Sequence, residues 1–204
     1  MSTTTNNNKL FTEKAQAVSA VVIPIDNMQK AFEYAIGLCE RKRRDNTTVA
    51  SQADSSSSSK DKQLTIAAPA LLADDFALLQ NHCMASNIQI IGNNLRNYLN
   101  GVDVGFTYAD YGIAETGTLV INSTSEDLRL ATMISDIHLA ILPTSRIKKD
   151  DLDLTSELHK LLADPKNFTA FITGPSRTAD IERVLAIGVH GPLELHILLL
   201  EDGQ

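Results

Sequence analysis

The residues best suited to chemistry gather in three short clusters of the second half of the chain. The first is Gly112-Ile-Ala-Glu115-Thr116-Gly117-Thr118, two glycines around a carboxylate and two hydroxyls. Such a stretch turns sharply and lets backbone approach a ligand, with Glu115 as base, nucleophile or hydroxyl acceptor. It reads equally as a plain turn with a capping threonine, since it is neither a dinucleotide-binding GxGxxG nor a Walker sequence. The second is Gly174-Pro-Ser176-Arg177-Thr178-Ala-Asp180-Ile-Glu182. If Ser176 or Thr178 caps a short helix, its open N-terminus and the Arg177 guanidinium make an anion site, while the residues alone give Asp180 no clear place. A capped helix with acidic residues in its first turn also stands without any ligand. The third is Gly188-Val-His190-Gly191-Pro192, which holds an imidazole among flexible residues, accessible as a general acid or base near neutral pH.

The other histidines offer less. His138 and His196 lie within apolar runs, as satisfied core or sheet-face residues do, and His82 and His159 fall on helical patterns that point to solvent. No set of His, Asp and Glu has zinc-site spacing, so no metal is expected. Cys39 and Cys83 belong to no CxxC, which leaves no disulfide framework and no iron–sulfur motif on this chain. A formal charge of −7 and a pI near 5.2 argue against a nucleic-acid surface. The basic run Arg41-Lys42-Arg43-Arg44 reads as cations complementing a helix C-terminus. The polar, uncharged start Ser2 to Asn8 is unlike a signal peptide, and no apolar run approaches the ~20 residues of a membrane span. A reducing cytoplasm is the expected location.

Several elements must position these clusters. Residues 1–12 read as a frayed tail, and 13–204 as a single α/β domain with a Ser-rich mobile loop at 45–63. The β-branched run 17–25 suits a strand. Asp26 and Gln29 then form a capping box for a helix whose Met28, Ala31, Phe32, Ala35, Ile36 and Cys39 share one face. Short apolar runs at 64–68, 88–91, 118–121, 138–142, 168–173 and 193–200 alternate with helical patterns at 74–84 and 150–162. Such alternation predicts a substantially parallel sheet covered by helices. Whether 182–187 is helix or strand, periodicity leaves open.

In their order, GIAETGTLVI (112–121), LPTSRI (142–147), FITGPSRTADIE (171–182) and GVHGP (188–192) resemble the LUD domain of the lactate utilization protein C (LutC) family. The chain departs from that family at Met133-Ile-Ser-Asp-Ile137, where members often carry a proline. The resemblance implies a Rossmann-like sheet of the NagB/RpiA/CoA-transferase kind, with ligands beyond the carboxyl ends of the strands. It also implies a role in oxidising L-lactate to pyruvate with oxidoreductase and iron–sulfur partner subunits, which would carry the clusters this chain lacks the motifs to hold. The expected pocket takes a small anionic ligand among Gly112, Thr116, Gly117, Thr118, Gly174, Ser176, Arg177, Thr178 and Gly191, with Glu115, Asp180 and His190 as the catalytic candidates. The alternative function is a stand-alone isomerase or acyl-CoA transferase using Glu115.

Overall fold

Of the apolar runs read from the sequence, those at 17–25, 64–68, 88–91, 138–142 and 193–200 contribute strands to one parallel sheet. The computed structural model describes residues 3–50, 63–123, 125–179, 185–187 and 191–201. Its six-stranded sheet has the order β1 (Val21–Ile25), β12 (Glu194–Leu200), β7 (Ser135–Pro143), β4 (Val102–Tyr108), β2 (Leu64–Ala67) and β3 (Ile88–Ile91). Every neighbouring pair is parallel. The central strands are buried at nearly every position, as strands covered on both faces are. Pro24 is confined to the edge strand β1, where its missing N–H breaks no ladder.

Helices α2 (Met28–Ala50) and α3 (Ala73–Ala85) cover one face, packing Phe32, Cys39, Leu79 and Cys83 against Val104, Phe106, Leu139 and Leu198. The other face meets α1 (Thr3–Ala17), α4 (Glu126–Met133) and a second sheet. That sheet runs β8 (Ile147–Lys148), β5 (Tyr111–Ile113), β6 (Thr118–Ser123) and β9 (Phe168–Ile172). Outside it lies α5 (Thr155–Leu162), whose Leu158 and Leu161 pack with Leu154 on Ile113 and Val120. A short antiparallel pair, β10 (Arg177–Ala179) and β11 (Leu185–Ile187), precedes the last strand. The α/β architecture with flanking helices is the one expected.

Several local expectations need correction. Residues 3–12 are not a frayed tail but most of α1, because Phe11 and Ala15 are fully buried on the sheet. The cap of α2 is Asn27, which accepts from Lys30 N at 3.0 Å, while Asp26 pairs with the Lys30 ammonium. Because α2 continues to Ala50, the basic run lies inside it and serves the sheet rather than a helix end. The start of the Ser-rich segment, 45–50, is helical, and 51–62 lie outside the described residues. α5 begins later than expected because Asp150 and Asp153 accept from the main-chain N–H groups of Asp153 and Lys149, an alternative to the helix. β4, β5 and α4 were not foreseen.

Candidate functional site

A cavity of about 320 Å³ opens between α4, β9 and the amino-terminal halves of β7 and β12. It therefore sits on the face covered by the second sheet rather than beyond the carboxyl ends of the strands. Its walls combine the exposed ring of Phe168 and the edge of β9 at Phe171 with the hydroxyls of Thr132, Thr173 and Ser176. Arg129 is the cation among the lining residues. It stands over the Phe168 ring at 5.8 Å from its centroid and donates to the Ser123 carbonyl. Helix α4 aims it there: Ser125 caps the helix by accepting from Leu128 N, and Glu126 and Asp127 occupy the first turn.

His138 lines the same cavity although it is only 1% exposed. Its Nε2 shares a 2.8 Å hydrogen bond with Thr107 Oγ1 on β4. Burial drives its pKa down from 6.5 to about 4, so the ring is neutral and fixed in place. The apolar run around it points to a core residue, and it is one. What the run conceals is that β7 also forms the cavity floor.

The glycine-rich segments around Gly174 and Gly191 are brought together, as their density suggested. Ser176 N donates to Pro192 O at 2.9 Å, and a Cβ on Gly191 would sit 3.1 Å from that of Ser176. Gly174 has φ of +75° and passes so close to the α1–β1 turn that a Cβ would lie 2.4 Å from Val18 O. Arg177 does not sit at a helix N-terminus, because 177–179 form β10. Its guanidinium donates to Val18 O and, at 2.7 Å, to Ser19 Oγ, so it ties the rim to the first turn. Thr178 lies on that strand, whereas Asp180, Glu182 and His190 lie outside the described residues.

The first cluster is placed apart from the cavity. Glu115 is exposed in the turn between β5 and β6, and its main-chain N–H donates to Lys149 O. Gly112 and Gly117 approach protein rather than an open ligand site. A Cβ on Gly112 would lie 2.7 Å from Leu142 Cδ2, and one on Gly117, whose φ is +66°, 2.3 Å from Ala15 N. A line of hydroxyls nevertheless links this turn to the cavity wall: Thr116 to Thr118 at 2.7 Å and Thr118 to Thr173 at 2.8 Å.

The opposite face holds a polar network at the amino edge of the sheet. Lys42 bridges Asp103 and Asp136, and Arg41 meets Glu194 at 2.6 Å. His196 is hydrogen-bonded to Tyr34 and Glu194, each at 2.7 Å, and burial lowers its pKa against the pull of Glu194. Burial raises the thiols of Cys39 and Cys83 to about 12 and about 11, which makes both poor ligands and nucleophiles. Among the described residues no three His, Cys, Asp or Glu are grouped to hold a metal, and no helix is long and apolar enough to cross a membrane.

The sequence profile of the LUD domain matches residues 9–200. Lactate utilization protein C of Halalkalibacterium halodurans is 36% identical over 114 residues, which are 54% of this chain and 50% of that protein. The uncharacterized protein YkgG of Escherichia coli is 36% identical over 102 residues, 48% of this chain and 44% of its own length. The chain spans about half the length of the curated relatives it matches. A DUF162 family protein from Deinococcus radiodurans, known from its crystal structure, shares the fold with a TM-score of 0.58 at 13% identity, over 98% of this chain and 99% of that one.

Proposed function

This chain belongs to the LUD domain family, and from that premise we propose that it is a component of a cytoplasmic L-lactate utilization system. In this reading it binds a small organic anion, while partner oxidoreductase and iron–sulfur subunits carry the electrons from lactate to pyruvate. The observation that carries it is the cavity between α4, β9 and β7: Arg129, three hydroxyl side chains and a neutral imidazole converge there on an otherwise apolar hollow. Few polar groups in an apolar setting are the usual make-up of a site for a small organic molecule. Relatives named Lactate utilization protein C support the pathway. Two buried, protonated thiols on the α2–α3 face support placing the redox chemistry on other subunits.

The experiment pairs a deletion strain with affinity purification. Loss of growth on lactate and co-purification of iron–sulfur subunits are expected. Normal growth on lactate, with no such subunit retained, would sink the proposal. A stand-alone isomerase or acyl-CoA transferase would require Glu115 at the ligand. Its carboxylate stands exposed in the β5–β6 turn and is not among the residues lining the cavity. Formation of a covalent acyl adduct on Glu115 with an acyl-CoA would revive that alternative.

A further inference from the structure

The size and lining of the cavity say more about its ligand than the proposed pathway does. At about 320 Å³ it lies at the small end of the range that encloses drug-sized molecules, roughly 300–1,000 Å³. With liquid water at about 30 Å³ per molecule, it has room for on the order of ten water-sized groups, and a three-carbon acid would fill only about half of it. The surplus space is not polar. Phe168 is 58% exposed on the edge strand β9, and Ala170, Ile172 and Leu195 continue the apolar wall on its side of the strand. Large apolar rings left open beside a cavity are the surfaces on which a planar ligand stacks.

The charge is placed to match. Arg129 lies against the Phe168 ring and gives one nitrogen to the Ser123 carbonyl. A guanidinium has five N–H donors in a planar fork, so donors remain for a carboxylate. His138 is neutral and held by Thr107, which makes the floor a hydrogen-bonding surface without a second cation. One positive group beside one open ring suits one negative group beside one ring.

We propose that the cavity binds a ring-bearing monocarboxylate, larger than lactate or pyruvate, with Arg129 taking the carboxylate and Phe168 the ring. This rests on the cavity being the ligand site of the proposed function. It implies that the occupant is a regulatory or auxiliary ligand of the lactate system rather than its three-carbon substrate.

Calorimetry on the full chain with phenylpyruvate, 2-oxooctanoate and pyruvate separates the contributions, since all three share the 2-oxo carboxylate. Phenylpyruvate is expected to bind at least about tenfold more tightly than pyruvate. It should exceed 2-oxooctanoate by about threefold to tenfold, the increment of aromatic contact beyond area burial. Arg129→Gln should weaken phenylpyruvate about tenfold or more, with Arg129→Lys recovering part of the loss. Phe168→Leu should remove the preference over 2-oxooctanoate, and its melting temperature shows whether the exposed position has kept the fold intact. Equal binding of pyruvate and phenylpyruvate, lost in Arg129→Gln, would overturn the ring while leaving the cavity as the ligand site. Absence of binding by all three acids would overturn the inference, and growth of the deletion strain on lactate reports on the underlying function independently.

Discussion

Thr107 and His138, on adjacent parallel strands, are joined inside the protein by a hydrogen bond of 2.8 Å. Replacing Thr107 with valine keeps the shape and strands Nε2. We expect a loss of about 1–3 kcal/mol in chemical denaturation, the cost of an unsatisfied buried group. A loss below a few tenths would mean that the ring finds another partner.

The same imidazole makes stability depend on pH. Its pKa is about 4 in the folded protein against 6.5 ordinarily, so between those values the unfolded chain binds a proton that the folded chain does not. Its contribution is therefore complete above pH 6.5 and lost as pH falls toward 4, by about 3 kcal/mol at full extent. His196, also lowered by burial, acts in the same direction. Denaturation curves across this window should flatten in His138→Gln, and an unchanged slope would contradict the assignment.

Lys42→Met should be among the most damaging single changes outside the apolar core. Burial by itself would push the Asp103 carboxyl up, but the Lys42 ammonium and the N–H and hydroxyl of Thr65 hold it below the ordinary range. Removing the cation leaves a carboxylate whose side chain is only 5% exposed without its charge partner. The expected cost is about 3–5 kcal/mol, and the Asp103 pKa followed by carboxyl NMR should rise.

Gly117 and Glu115, two residues apart, should separate structure from chemistry. Gly117→Ala places a methyl against Ala15 N at a left-handed position and should cost about 1–3 kcal/mol of stability. Glu115→Gln, at an exposed site, should change neither the melting temperature nor phenylpyruvate affinity. A loss of affinity there would bring the β5–β6 turn back into the ligand site.

Phe11→Ala tests whether the amino-terminal helix belongs to the fold. Its ring is fully buried between α1 and the sheet, so the truncation should cost about 3–5 kcal/mol in denaturant titration. A neutral result would return residues 3–12 to the status of a tail.

Much of the sheet was legible because its strands are short apolar runs that stand out by composition. β3 spans Ile88–Ile91, as read, and β2 and β12 differ from their expected runs by a residue at one end. Helix α1 escaped because its polar sequence carries only Leu10, Phe11 and Ala15 as apolar residues of its buried face, and tertiary packing rather than periodicity stabilises it. β4 escaped because Asp103, Gly105 and Thr107 interrupt its apolar pattern, and each has a partner that only the fold reveals. For the site, the Gly174 and Gly191 segments were found by their density of glycine and polar residues, and they do adjoin. Arg129 was missed because one arginine on an unforeseen helix carries no local signal. Phe168 was missed because a strand pattern does not say which edge stays open.

The latch between Arg177 and the Val18–Ser19 turn, together with the tight passage of Gly174 over Val18, makes the cavity rim and the amino-terminal helix one mechanical unit. Anything that frays α1 then relaxes a site distant in sequence. By reciprocity, an occupant that requires the rim in this position must slow amide hydrogen exchange in α1 by the same factor that fraying weakens its own affinity.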